Sequence, residues 1–243
     1  MLYVSSVFGV YDYSFQWEDE RISLGIERDE TLFVYNRRSG SESVEKIIRG
    51  EDGRIILNPV EPLNLPKEIT KYLEFHFKPV VIQPESEQKF FLTFPVEIGV
   101  FLEARNSYNV LDIFSFALPK YSLYGSPDEG VITRHVETEI YPSLPLVKDP
   151  LVEGVMELTI KNTARTWVEV TRAVFDNVTL NIYYGDYVAM TGKMEVFSRG
   201  MAETTTLDKP FREGMKASIQ LFTARQIPLA DKPTFLMEFG VGD

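Results

Sequence analysis

The sequence predicts an all-β protein made of two β-sandwich domains, the C-terminal one immunoglobulin-like. Three observations carry that reading. Apolar and polar residues alternate from end to end, Gly and Pro turns break the alternation at short intervals, and a proline cluster near the middle interrupts it. Side chains on a strand point alternately to opposite faces, so a period of two with one apolar phase marks a half-buried strand. No long stretch sustains the 3.6-residue apolar stripe of a helix.

The runs follow in order. Ile22, Leu24 and Ile26 share one face, with Ser23 and Glu27 on the other. Leu73, Phe75 and Phe77 alternate with Glu74, His76 and Lys78, and Met156, Leu158 and Ile160 with Glu157, Thr159 and Lys161. Leu180, Ile182 and Tyr184 repeat the pattern, as do Ala217, Ile219 and Leu221, then Phe235, Met237 and Phe239. Arg38-Ser39-Gly40-Ser41 and Gly50-Glu51-Asp52-Gly53 read as loops, and Gln83-Pro84-Glu85-Ser86 as a hairpin or sandwich corner. Two stretches, 66–72 and 109–116, are read as single helical turns.

Tyr141-Pro142-Ser143-Leu144-Pro145, followed by Pro150, fits a connector, because proline lacks the N–H that a central strand must donate. The expected division is therefore a larger sandwich over residues 1–145 and an immunoglobulin-like one over 146–243. One continuous sandwich with the prolines on a rim is the alternative.

The 243 residues carry a formal net charge of -11. Residues 1–145 hold 14 Lys and Arg against 23 Asp and Glu, and residues 146–243 hold 11 against 13, so the acidity lies in front. Such a chain lacks the clustered cations that neutralise phosphates, and nucleic acid is not an expected partner. The absence of cysteine excludes disulfides, thiol catalysis and Cys-ligated zinc or iron–sulfur sites. Residues 1–13 show no basic leader. No run approaches the roughly 18–20 apolar residues of a membrane span, so a cytoplasmic protein without a transmembrane segment is expected. Few Asn and Gln beside many Glu point toward a thermophilic source.

Phe94-Pro95-Val96-Glu97-Ile98-Gly99-Val100 is followed by Asp112-Ile113-Phe114-Ser115-Phe116, then by Pro119-Lys120-Tyr121-Ser122-Leu123-Tyr124-Gly125-Ser126-Pro127. With Trp167-Val168-Glu169-Val170-Thr171-Arg172, Val174-Phe175-Asp176 and Asp208-Lys209-Pro210, this pattern resembles the archaeal family known as domain of unknown function 432. The resemblance covers most of the chain and implies an archaeal source. It transfers no activity and no catalytic residue.

Candidate functional residues gather at 121–139. Only two histidines exist, and His76 reads as a rim residue on the polar side of its strand. The run 131–141 reads as a strand with Thr133, His135, Glu137 and Glu139 on one face, opposite Ile132, Val136 and Ile140. A histidine and two carboxylates spaced roughly 6.5–7 Å apart offer partial ligation to a divalent metal, and a solvated polar face is the plainer reading. Tyr121 and Tyr124 precede the turn Gly125-Ser126-Pro127-Asp128-Glu129-Gly130. Exposed tyrosines beside such a turn make a binding surface, whereas buried ones would hold its shape. The candidate binding set is Tyr121, Tyr124, Asp128, Arg134, His135, Glu137 and Glu139, with no catalytic residue, metal ligand or cofactor assigned. Arg172 breaks its strand's alternation, which calls for a bulge or for pairing with Asp176 or Glu169.

No Walker loop, GxGxxG or GxSxG motif occurs, and Asn177-Val178-Thr179 is a chance-level glycosylation sequon. The leading functional expectation is a non-enzymatic protein-interaction module, within a membrane-associated assembly. The alternatives are a small-ligand or carbohydrate-binding module using Tyr121 and Tyr124, and a metal-dependent hydrolase on the His135 face. Oligomeric state has no signal in the sequence.

Overall fold

Period-two alternation becomes strand throughout the computed structural model, which describes residues 7–50, 52–65, 69–104, 107–176, 180–221 and 234–242. Chain order runs β1 (Gly9–Asp12), β2 (Gln16–Glu18), β3 (Ile22–Asp29), β4 (Leu32–Ser39) and β5 (Glu42–Ile48). It continues through β6 (Arg54–Val60), β7 (Tyr72–Ile82), β8 (Ser86–Pro95), β9 (Glu97–Ala104) and β10 (Ser107–Phe114). Then come β11 (Tyr121–Tyr124), β12 (Val131–Glu137), β13 (Glu153–Asn162), β14 (Val168–Asp176) and β15 (Tyr183–Tyr184). The last five are β16 (Val188–Ser198), β17 (Met201–Leu207), β18 (Lys216–Ala217), β19 (Phe235–Met237) and β20 (Val241–Gly242).

These strands form four sheets. One is ordered β1-β6-β9-β10, and a second is the antiparallel meander β2-β3-β4-β5. The third runs β11-β12-β7-β14-β20. The fourth runs β18-β15-β16-β13-β8, with β17 added on β16 and β19 on β17. Two neighbours are parallel, β12 with β7 and β13 with β16.

The proline cluster does not separate these sheets. Strand β13 pairs with β8 at every position from Glu153↔Pro95 to Asn162↔Ser86, and β14 pairs with β7. Both partners precede residue 145, so two ladders cross the expected division at 145/146. The physical reason is plain: alternation tells a strand which face to bury but not which strand to pair with. The larger of two apolar clusters accordingly runs from Ile22 to Val241, and the smaller holds Ile56, Val60, Phe101 and Leu221.

Two corners hold the third and fourth sheets together. The chain passes from β7 to β8 through Gln83-Pro84-Glu85, and from β13 to β14 through residues 163–167. Asn162 is fully buried and ties both corners. Its Nδ2 donates to the carbonyls of Ile82 and Gln83 at 3.1 Å each and of Thr166 at 2.9 Å, while its Oδ1 accepts from Ala164 N–H.

Three local expectations change. Residues 109–116 supply most of β10 instead of a helical turn, because Val110, Ile113 and Phe114 complete a ladder with β9. The runs at 180–184 and 217–221 shrink to the two-residue strands β15 and β18. Tyr72 begins β7, while residues 66–68 of the other expected turn and the 177–179 sequon lie outside the described residues. Near Pro79, which has no N–H for the ladder, the β7–β14 register slips: Val170 pairs with Val80 but Arg172 with His76.

Asn162→Ala would leave the carbonyls of Ile82, Gln83 and Thr166 short of a donor, the first of them buried. A loss of about 2–3 kcal/mol is expected in urea unfolding. A change under about 0.5 kcal/mol would show that the corners do not depend on this side chain.

Candidate functional site

Residues 121–139 form an edge hairpin. Strand β11 is outermost in its sheet, β12 lies between it and β7, and Tyr121↔Arg134 through Tyr124↔Val131 set the register. The turn between them needs its glycines. Gly125 adopts a φ of 103°. A Cβ on Gly130 would come within 2.5 Å of the Ser126 carbonyl, whose oxygen accepts from Gly130 N–H at 2.8 Å. Asp128 sits exposed on the turn, away from the other candidates.

Cross-strand partners share a face, which divides the candidate set. Tyr121, Leu123, Ile132 and Arg134 lie on one side of the hairpin; Ser122, Tyr124, Thr133, His135 and Glu137 lie on the other. The two tyrosines, three residues apart, therefore cannot line one surface.

The first face turns inward around Arg134, whose side chain is 1% exposed. Its guanidinium lies 5.6 Å from the Tyr121 ring and 3.7 Å from Glu97, the carboxylate that opens β9. Tyr121 donates its hydroxyl to the Leu65 carbonyl. Glu97 Oε2 accepts from the Asn64 backbone N–H at 2.9 Å and from its side-chain amide at 3.2 Å. Burial pushes the Glu97 carboxyl up to about 7, outweighing the pull of the Asn64 donors and of Arg134. Arg134 is thus an interior residue and Tyr121 a half-buried one.

The second face centres on Glu74, also buried. Its Oε2 accepts from Thr133 Oγ1 and Ser122 Oγ at 2.6 Å each, and its Oε1 accepts from Arg172 Nη1 at 3.1 Å. Both anticipated devices operate at Arg172: a bulge re-aims it and a carboxylate pairs it, though the partner is Glu74 across the sheet. Thr133, expected in solvent, is fully buried beside it. Tyr124 is buried under the C-terminal strands. It donates to the Phe239 carbonyl at 3.0 Å and accepts from the N–H groups of Glu238 and Phe239, with Phe235 and Phe239 rings against its own.

At the far end of this face the two histidines meet. Parallel register sets His135 beside Glu74 and Glu137 beside His76, and the imidazoles stand 5.9 Å apart. A cleft of about 470 Å³ opens there, lined by His76, Lys78, Glu137, Thr138, Glu139 and Thr171. Lys78 pairs with Glu139 at 3.3 Å in solvent. Among the described residues no three His, Asp or Glu side chains converge to hold a metal ion.

The edge is the other property of this hairpin. Among the described residues nothing pairs with the outer side of β11. Edge strand β5 carries Glu42, Glu45 and Lys46, charges that repel an added strand, whereas Tyr121, Ser122, Leu123 and Tyr124 carry none. Leu123 and Ile132 are cross-strand partners, 47% and 50% exposed, and Ile69 is exposed next to Thr70, which bonds the Ile132 carbonyl. Sequence reasoning missed Glu74, Glu97 and this bare edge. A lone Glu97 inside Phe94-Pro95-Val96-Glu97-Ile98-Gly99-Val100 was the available signal for a buried charge.

A family model described as protein of unknown function (DUF432) matches residues 7–238. No curated protein and no solved structure matches the chain.

Glu97 makes stability depend on pH. Unfolded glutamate titrates near 4.5, so between about pH 4.5 and 7 the folded chain keeps a proton that the unfolded chain has lost. The contribution is full below about pH 4.5 and is lost as pH rises through about 7, a difference of about 3 kcal/mol. Denaturant unfolding at pH 4.5, 6 and 8 is expected to show that fall in the wild type and a flatter profile in Glu97→Gln. Equal slopes would place the titration elsewhere.

Proposed function

The chain belongs to the DUF432 family of proteins of unknown function, and we propose that it is a non-enzymatic protein-interaction module that takes up a partner strand along β11, working in the cytoplasm. The observation that carries this reading is an unpaired, uncharged edge strand with Leu123 and Ile132 exposed beside each other. Main-chain groups on such an edge supply hydrogen bonds to an extended segment, and neighbouring apolar side chains supply the selectivity.

The hairpin is also stiff where it must be. Ser122 and Thr133 are bonded to Glu74 from one face, and Tyr121 and Arg134 are packed from the other. An edge already held in its bound shape loses little freedom on association. Ser122, Thr133 and Arg172 occupy the Glu74 carboxylate in holding strands together. The acidic front half favours a partner segment flanked by Lys or Arg.

The test is affinity capture from native cell extract with the wild type, the double variant Leu123→Lys/Ile132→Lys and the surface control Val10→Lys. Both variant sites are exposed, so unfolding curves are expected to stay within about 0.5 kcal/mol of wild type. A partner recovered by wild type and control is expected to fall about tenfold or more with the double variant. Equal recovery by all three would contradict docking at β11.

A further inference from the structure

The 124–131 turn and the last two strands enclose a small cleft of about 200 Å³. Tyr124 and Glu129 reach it from the hairpin, and Phe235, Leu236, Glu238 and Phe239 from β19 and the turn before β20. Its walls are aromatic: the Phe235 and Phe239 rings stand edge to face with the Tyr124 ring, at 5.6 and 5.8 Å. Leu236 and Phe239 are among the exposed apolar residues, so this surface stays open to solvent. The walls are also fixed. The Tyr124 hydroxyl donates to the Phe239 carbonyl and accepts from the N–H groups of Glu238 and Phe239, while Glu129 N–H donates to Ser126 Oγ at 3.2 Å.

Every charged side chain lining the cleft is a carboxylate. Glu129 and Glu238 are exposed, and neither forms an ion pair among the described residues. Glu203, the cross-strand partner of Leu236, sets a third carboxylate on the same face. The cations around the cleft are committed elsewhere. Arg172, packed against Gly240, pairs with Glu74 at 3.1 Å. Lys71, beside the Tyr72 ring that meets Phe235, pairs with Asp176 at 2.5 Å. Lys161 and Lys193 pair with Glu195, one strand beyond Glu203, and Arg199, on the turn bonded to Val241, is engaged as well.

We propose that this cleft takes up a lysine or arginine side chain, carried by the segment that pairs with β11. An anion would meet only carboxylates there, and a purely apolar side chain would cover them without pairing them. A long cationic side chain suits both parts of the lining. Its methylenes lie along Leu236 and Phe239, and its charge meets aromatic ring faces and the Glu129 and Glu238 carboxylates. Size selects a side chain over a whole small molecule, for which sites of roughly 300–1,000 Å³ are usual.

The assignment to the partner segment rests on the β11 reading; the chemistry of the cleft does not. A strand laid on β11 sends successive side chains to opposite faces. One face carries Leu123 and Ile132, and the other carries Tyr124, which lines the cleft. The partner is therefore an extended segment with an apolar residue for the first face and a basic residue, an odd number of positions away, for the second.

The probes are Nα-acetyl-lysine amide, Nα-acetyl-arginine amide and the uncharged Nα-acetyl-norleucine amide, titrated into the full chain and followed by NMR at Phe235, Leu236 and Phe239. The two cationic probes are expected to give saturable shifts in the millimolar range, and the norleucine probe to bind about fivefold more weakly or worse. Glu129→Gln/Glu238→Gln changes two exposed side chains, so its unfolding curve is expected to match the wild type. It is expected to weaken the cationic probes about fivefold or more, and to lower recovery of the captured partner by a similar factor. Leu123→Lys/Ile132→Lys, on the other face, is expected to bind the probes as the wild type does. Absence of saturable shifts would overturn cation uptake by the cleft, as would equal binding of norleucine or undiminished binding by the glutamine variant. Partner capture that ignores Glu129→Gln/Glu238→Gln, with probe binding intact, would overturn the assignment to the β11 segment. Probe binding that follows these expectations, with no partner recovered through β11, would contradict the β11 reading alone and uphold the cleft as a cation site.

Discussion

Strands β8 and β13 face each other along their whole lengths, and nearly everything else in the fold depends on that ladder. It joins the chain before the proline cluster to the chain after it, and its two ends lead through corners into β7 and β14, which pair in turn. Four strands thus form a closed hydrogen-bonded circuit across two sheets. Asn162 stands where the circuit changes sheets, and its three donated hydrogen bonds make the two corners one piece. A buried amide with its donors satisfied specifies a single arrangement, because each alternative would strand a polar group away from water.

The third sheet uses that frame to hold an edge hairpin from both faces. Glu74 gathers Ser122, Thr133 and Arg172 on one side, while Glu97 and Asn64 meet Arg134 and Tyr121 on the other. These contacts explain why a hairpin at a sheet boundary, with a four-residue outer strand, presents a defined edge. They also place the most water-excluded charges in structural service. The exposed apolar side chains include Leu123 and Ile132 on this hairpin.

Much of this was legible in the sequence. Ile22, Leu24 and Ile26 bury the phase that alternation assigns them, as do Leu73, Phe75 and Phe77. The irregularity at Arg172 announced a bulge. Pairing was not legible, because a period-two pattern is satisfied by any neighbour of suitable length, and the proline cluster looked like a boundary only while β13 had no known partner. The same limit applies to the candidate site. Tyr121 and Tyr124 stand three residues apart and equally suit a binding surface, yet strand geometry turns them to opposite faces. Arg134 and Thr133 lie on a strand whose polar residues looked solvated, and only the positions of Glu97 and Glu74 on other strands reveal why they are buried.

Hydrogen exchange followed by mass spectrometry addresses the shared ladder most directly. If the circuit of β7, β8, β13 and β14 is one cooperative unit, amides in all four strands should exchange through the same global opening, with the same dependence on denaturant. Exchange of β13 and β14 through a separate, lower-energy opening while β7 and β8 stay protected would contradict it, and would restore an independent back half.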